Sequence, residues 1–194
     1  MLKRIMSIIP ALILVFFTAS CAMGGGADWT IMVWLDGDND LETFALADLN
    51  EMEYGLYMAS IADPAITSRV RIIVQVDRHG SYDNSTAYTG DNWSDTRRYL
   101  IQPDPSDSTA WTSRRIDEDM GEVNMGDAQN LKEFIEYCQE NYHARRYALI
   151  LWNHGGGIMK KKTYSPLAGT GSGEEMPLKE ICTDWTDGDR LYTG

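Results

Sequence analysis

The chain has 194 residues and 43% hydrophobic content, enough for one domain with a substantial core and too little for two domains of usual size. Its 17 Lys and Arg stand against 29 Asp and Glu, a formal charge of −12, and no basic, aromatic-rich stripe offsets it, which argues against a nucleic-acid partner. Three cysteines are too few for a disulfide framework, and Cys138 with Cys182 would make one optional bridge.

Residues 1–20 differ in kind from the rest. Lys3 and Arg4 are followed by an almost wholly apolar run, Ile5 to Phe17, interrupted by Pro10, and then by the small residues Thr18, Ala19 and Ser20. That order describes a secretion signal. The run is shorter than the ~20 residues a spanning helix needs. The Thr-Ala-Ser-Cys ending resembles a bacterial lipobox, which predicts cleavage before Cys21, lipid attachment at Cys21 and a tether over residues 21–27. An ordinary signal peptide with an incidental cysteine is the alternative. Residue 22 is Ala and not Asp, which favours the outer membrane of a bacterial envelope. Loss of Lys3 and Arg4 leaves 15 basic against 29 acidic residues, a mature charge of −14.

The folded portion is expected over residues 28–194. Asp28 to Leu35 carries Ile31, Val33 and Leu35 between Met32 and Trp34 and reads as a buried first strand ended by Asp36-Gly37. Asn39-Asp40-Leu41-Glu42 has the shape of a capping box, with Glu42 reaching back to the start of a helix. The helix follows with Leu41, Ala45, Leu49, Met52 and Leu56 on one face. Val70 to Asp77 reads as a second strand ending in Asp77-Arg78-His79-Gly80, and Arg97 to Ile101 as a third. Gln102 to Gly126 reads as a long polar loop, of the length usually functional or mobile. Asp127 can cap a helix whose face is Ala128, Leu131, Phe134, Ile135, Cys138 and Tyr142, with Arg145 and Arg146 near its negative end.

Tyr147 to Trp152 is a short apolar run without Gly or Pro and suits a strand buried on both faces of a parallel sheet. Asn153, His154 and three glycines follow, so an imidazole stands beside backbone amides that no Cβ shields. Lys160 to Lys179 reads as an exposed linker and protease target. Ile181 to Asp184 is a weaker strand with a turn at Asp187-Gly188. Alternating strands and helices imply an α/β fold with an open, largely parallel sheet flanked by helices. Ligands of such sheets bind beyond the carboxyl ends of the strands, where Asp36, Asp77 and His154 all fall.

Three other chemistries fit these residues worse. An esterase needs a Gly-x-Ser-x-Gly elbow after its His-Gly-Gly-Gly loop, and Gly169 to Gly173 has the composition with the wrong spacing and setting. The only histidines are His79, His143 and His154, with no His-Glu-x-x-His, and no metal ligand set is assigned. Asp36, Asp38 and Asp40 alternate like the start of a calcium loop, but Leu41 and Ala47 occupy the positions that need Gly and Glu, which excludes an EF-hand.

Several separate stretches resemble the clostripain family of cysteine peptidases. They are Val33 to Glu42, Asp48 to Met52, Val74 to Arg78, Thr96 to Tyr99, Asn124 to Asp127 and Trp152 to Gly157, in that family's order, from about Trp29 to Tyr192. The resemblance implies a caspase-like sandwich and an endopeptidase that cuts polypeptides after Arg or Lys. It assigns His154 as the catalytic histidine and Gly155 as the amide that holds the oxyanion, consistent with a thiolate attacking a carbonyl while an imidazole handles the proton. It also allows calcium, although nothing in the sequence requires a cofactor.

The family's nucleophile, in an Asp-x-Cys type motif, and its acid for the basic substrate side chain belong on the next core strand, beyond a helix expected near Thr193. Neither falls within these 194 residues. Cys138 lies on an apolar helix face and Cys182 on a weak strand, so neither replaces the nucleophile. The chain alone is expected to be inactive. It would be the histidine-bearing part of a longer enzyme, a processed piece cut near Lys160 to Lys162 and completed by a C-terminal chain, or a lipid-anchored binding module derived from such a peptidase.

Overall fold

The computed structural model describes residues 26–84, 86, 90, 92–106, 110–154, 179–184 and 186–193. The first strand is its axis. β1 (Ala27–Gly37) pairs in parallel with β2 (Val70–Arg78) on one side and with β5 (Ala144–Trp152) on the other. β3 (Arg97–Leu100) adds antiparallel to β2, and β4 (Arg114–Arg115) antiparallel to β3, giving the order β4-β3-β2-β1-β5. A separate hairpin, β6 (Lys179–Asp184) with β7 (Asp189–Thr193), turns at Gly188, whose φ of 67° suits a residue without Cβ.

Alternation along β1 divides the core in two. Val33 and Leu35 pack with Ala45, Leu49 and Leu56 of α1 (Glu42–Ala62), while Met32 and Trp34 pack with Phe134 and Cys138 of α3 (Ala128–Asn141). A period of two sends neighbouring side chains to opposite faces, so one strand serves two helix layers. Burying each such Leu or Val stabilises by about 1.5–3 kcal/mol. α2 (Ile66–Arg69) is a single turn before β2. Asp127 caps α3 as the sequence suggests, its carboxylate accepting from the Gln129 amide at 2.7 Å.

The sheet is largely parallel as expected, with the short strands β3 and β4 added antiparallel at one side. Three expectations change. Among the described residues β5 is an edge strand and is not covered on both faces, with Leu149 38% and Ile150 47% exposed. Arg145 and Arg146 belong to β5 and not to a helix end; Arg145 lies 3.6 Å from Asp28, and Arg146 stacks over Trp29. Glu42 does not close a capping box. Asn39 Oδ1 accepts from the Leu41 amide at 2.9 Å, but the Glu42 carboxylate turns inward to Arg78 Nε at 2.8 Å, with both side chains wholly buried.

The stretch read as a polar loop, Gln102 to Gly126, is anchored at several points. Buried Glu53 of α1 accepts from the Thr112 amide at 3.0 Å and the Ser113 amide at 2.6 Å. Trp111 packs edge-on against Tyr99 and Trp93 over the α1 side of the sheet. The expected linker from Lys160 lies outside the described residues, apart from its end at Lys179.

Candidate active site at the strand ends

The sheet register sets the carboxyl ends side by side: Asp36 stands opposite Asp77, and Leu35 opposite Trp152. Gly37 continues β1 past this line because its neighbours leave no space, a Cβ there meeting the Asp77 carbonyl at 2.9 Å and Ala45 Cβ at 3.0 Å. The end of β5 is tied to α1 by Trp152, whose Nε1 donates to Asp48 Oδ2 at 2.7 Å. It is tied to β1 by Asn153, whose Nδ2 donates to Asp36 Oδ2 at 2.5 Å. These two bonds fix the residue before His154.

His154 is half exposed; its amide donates to Asn153 Oδ1, and its ring meets Asp40, with Nε2 2.6 Å from Oδ1. The carboxylate accepts from Nε2–H, which leaves Nδ1 as the nitrogen able to accept a proton. The chain therefore presents an oriented imidazole at the end of β5, the edge strand among the described residues. Gly155 and Cys21 lie outside the described residues.

The remaining candidates from the sequence are placed apart from this imidazole. His143 lies between α3 and β5, where its carbonyl accepts from Arg71 at 3.3 Å. His79 contacts Ser81 Oγ through Nδ1 at 2.5 Å and packs on Tyr82. Cys138 and Cys182 are both free and fully buried in the α3-side core. Burial pushes each thiol up to about 12, so neither offers a thiolate near neutral pH.

Beneath the strand ends lies a group that the sequence keeps far apart. Asp38, Asp77, Glu122 and Asp184 each bring one carboxylate oxygen within 4.8 Å of the others. Asp38 Oδ2 accepts from the Thr186 amide at 2.7 Å, and Asp184 Oδ2 from the Met125 amide at 2.8 Å. The β6–β7 turn thereby meets the end of β1 and the segment leading into α3. Gly126 permits that approach, since a Cβ there would stand 2.6 Å from the Asp189 carbonyl carbon. Burial and nearby negative charge push three carboxyls up: Asp184 and Glu122 to about 7, and Asp77 well above the carboxylate range. Asp36 is pushed to about 8, first by burial and then by the charges of Asp184 and Asp38, against the pull of the Asn153 bond.

This donor set fits the calcium that the resemblance allows. All four donors are hard oxygens, and two of the oxygens, Asp38 Oδ1 and Asp77 Oδ2, are buried without a hydrogen-bond partner. Asp40, Asn153, Glu122 and Asp184 were not singled out by sequence reasoning as site residues. Asp40 alone had a usable signal, its place in the acidic run after β1. The Thr186–Asp38 bond spans 148 residues and has no local signature.

The chain is thus an α/β protein with a parallel-centred sheet, helices on both faces and a histidine just past a strand end. The model of the clostripain family matches residues 33–194. The chain belongs to the clostripain family of cysteine peptidases. Clostripain of Hathewaya histolytica is 37% identical over 141 residues, which cover 68% of this chain and 24% of that protein. This chain thus spans about a quarter of that relative's length. Two solved structures are also similar. A B. fragilis cysteine protease is 21% identical, covering 74% of this chain and 98% of its own, with a TM-score of 0.47. A clostripain from Bacteroides thetaiotaomicron ATCC 29148 in complex with a peptide inhibitor is 11% identical, covering 71% and 98%, also with a TM-score of 0.47.

Proposed function

We propose that this chain supplies the histidine-bearing part of a cysteine endopeptidase that cleaves polypeptides after Arg or Lys, with the thiol nucleophile and the acid that reads the basic side chain carried by polypeptide pairing with the free edge of β5. The observation that supports this reading is His154 itself: an imidazole oriented by Asp40 at the end of a strand whose far side is unpaired among the described residues. His154 acts as the general base and acid through Nδ1, the ring nitrogen that the Asp40 contact leaves to take the proton of the incoming thiol. Gly155 then supplies the amide that stabilises the developing oxyanion. The activity and specificity rest on membership of the family, and this chain covers about a quarter of the Hathewaya histolytica clostripain.

Residues 1–20 direct export, and Cys21 carries the lipid that holds the domain at the cell envelope. Labelling with a radioactive or alkyne fatty acid should mark the wild-type protein and not Cys21→Ser.

The test of the peptidase reading is turnover of Arg- and Lys-containing fluorogenic peptides by the complete protein. His154→Ala should lower kcat by about 10³-fold or more while leaving the fold intact by circular dichroism. Undiminished turnover in that variant overturns the assignment. A folded wild-type protein that binds such peptides without cutting them supports the binding-module reading instead.

A further inference from the structure

We infer that the amino ends of β1, β2 and β5 form a membrane-facing surface, on which Trp29, Arg71, Arg145 and Arg146 meet the anionic phospholipid headgroups of the bilayer that holds Cys21. The inference rests on the proposal that Cys21 carries a lipid and goes beyond it, because it states which face of the domain lies on the bilayer and which points away.

The first argument is reach. Gly26 enters the sheet tight against the turn between α3 and β5, since a Cβ on it would stand 2.7 Å from the His143 carbonyl oxygen. Thr30 Oγ1 donates to the Tyr142 carbonyl at 2.7 Å and Arg71 Nη1 to the His143 carbonyl at 3.3 Å, so the same turn is clamped to β1 and β2. Between Cys21 and Ala27 lie only the residues numbered 22–26. Whatever their conformation, they can span at most about 22 Å. A lipid on Cys21 therefore makes the amino ends of the strands the near face of the domain.

The second argument is charge. The chain as a whole carries −12, which an anionic bilayer repels. At the amino ends the balance is reversed. Arg69, Arg71, Arg145 and Arg146 gather there, and the carboxylates in contact with them are Asp28 and Asp63, both bound by Arg69. Arg145 shares Asp28 at 3.6 Å. The hydrogen bond from Arg69 and then the charges of Arg69, Arg145 and Arg146 hold the Asp28 carboxyl below its usual range, the mark of excess positive charge around it. Exposed Glu140, in the last turn of α3, adds one more acid and leaves the face positive. Among the described residues Arg71 is in contact with a carbonyl and Arg146 with a ring, so no carboxylate contact neutralises either. The molecule thus turns its positive pole toward the anchored end, which orients it on a negative surface.

The third argument is Trp29. It stands in register with Val70 and Arg146, two residues into β1, and its ring is 37% exposed under the Arg146 guanidinium, 5.5 Å from the centroid. An indole that is part apolar body and part polar handle, set among arginines, suits the headgroup layer of a bilayer better than bulk water.

The consequence concerns the candidate active site. β5 runs from Ala144 at the membrane-facing end to Trp152 beside His154. Eight steps of strand at about 3.3 Å each separate the two ends by about 26 Å. The imidazole of His154 is thereby held off the bilayer and opens toward polypeptides in the surrounding solution.

The test uses the complete lipidated protein on vesicles of phosphatidylcholine with phosphatidylglycerol, and of phosphatidylcholine alone. Flotation reports anchorage, and quenching of tryptophan emission by lipids brominated on their chains reports contact of Trp29 with the bilayer. The wild type should float with both vesicles and be quenched more strongly on the anionic ones. Trp29→Phe should float and lose that extra quenching. Arg145→Glu with Arg146→Glu should float unchanged while the extra quenching falls about twofold or more. If that double variant fails to fold, high salt on the wild type decides, because screening should produce the same loss. Floating protein in which Trp29→Phe is quenched as strongly as wild type overturns the inference, as does quenching indifferent to lipid charge, to salt and to the double substitution. Wild type that does not float overturns the lipid at Cys21 and this inference with it. Flotation without Trp29 contact overturns this inference alone.

Discussion

At the scale of single residues, the imidazole of His154 depends on two carboxylates that play different parts. Asp40 touches it directly at 2.6 Å, and Asp36 acts through Asn153. Replacing Asp40 with Ala frees the ring to rotate. Turnover by the complete protein should fall roughly 10- to 100-fold in kcat with KM little changed, and Asp40→Asn should restore part of it, since an amide oxygen still accepts from Nε2–H. Equal loss in both variants would argue against positioning. Asp36 carries a pH signature instead. Burial raises it to about 8, whereas in the unfolded chain it titrates near the usual 3.8, so folding takes up a proton between those values. Its contribution is fully present below about pH 4 and is lost as pH rises through about 8. The denaturant midpoint should therefore fall from pH 5 to pH 8, and Asp36→Asn should flatten part of that fall. The sequence placed Asp36, Asp77 and His154 at strand ends because strand termini are legible from local pattern. It did not pair Asp40 with His154, because 114 residues separate them.

At the scale of elements, the strands and helices with strong periodicity were readable, and those defined by partners were not. β1, α1, β2 and α3 follow from alternation or a 3.6-residue stripe. β4 has two residues, Arg114 and Arg115, and exists only because β3 offers an edge to pair with. The wrong expectation for Glu42 has the same origin. Asn39 to Glu42 fits the capping-box spacing, but buried Arg78 outcompetes the backbone amide for that carboxylate, since a charge-assisted bond is stronger than a neutral one. Glu42 also accepts from the amides of Gly80, Tyr82 and Asp83, so it holds the turn after β2 as well as the start of α1. Glu42→Ala would leave Arg78 charged and buried without its partner. It should cost about 3–5 kcal/mol, measured as a lower denaturant midpoint with unchanged slope. A loss below about 1 kcal/mol would mean that Arg78 finds water on opening.

At the scale of the whole molecule, the position of β5 governs the behaviour of the chain. An apolar run such as Tyr147 to Trp152 is normally the signature of a central strand. Within the described residues β5 pairs with β1 alone, and Leu149 and Ile150 are exposed. Pattern and placement agree if the outer side of β5 is a pairing surface for further polypeptide. A bare, apolar edge strand is also a template for self-association. The chain after removal of residues 1–20, expressed alone, should associate in a concentration-dependent way by sedimentation or light scattering. The double substitution Leu149→Lys with Ile150→Lys should return it toward monomer, because charge on an edge strand opposes pairing. In the complete protein the same double substitution should have the opposite value. There the two lysines would be buried against a neighbouring strand, so stability and turnover should both drop. A complete protein indifferent to them would mean that the edge stays open and that nothing docks on β5.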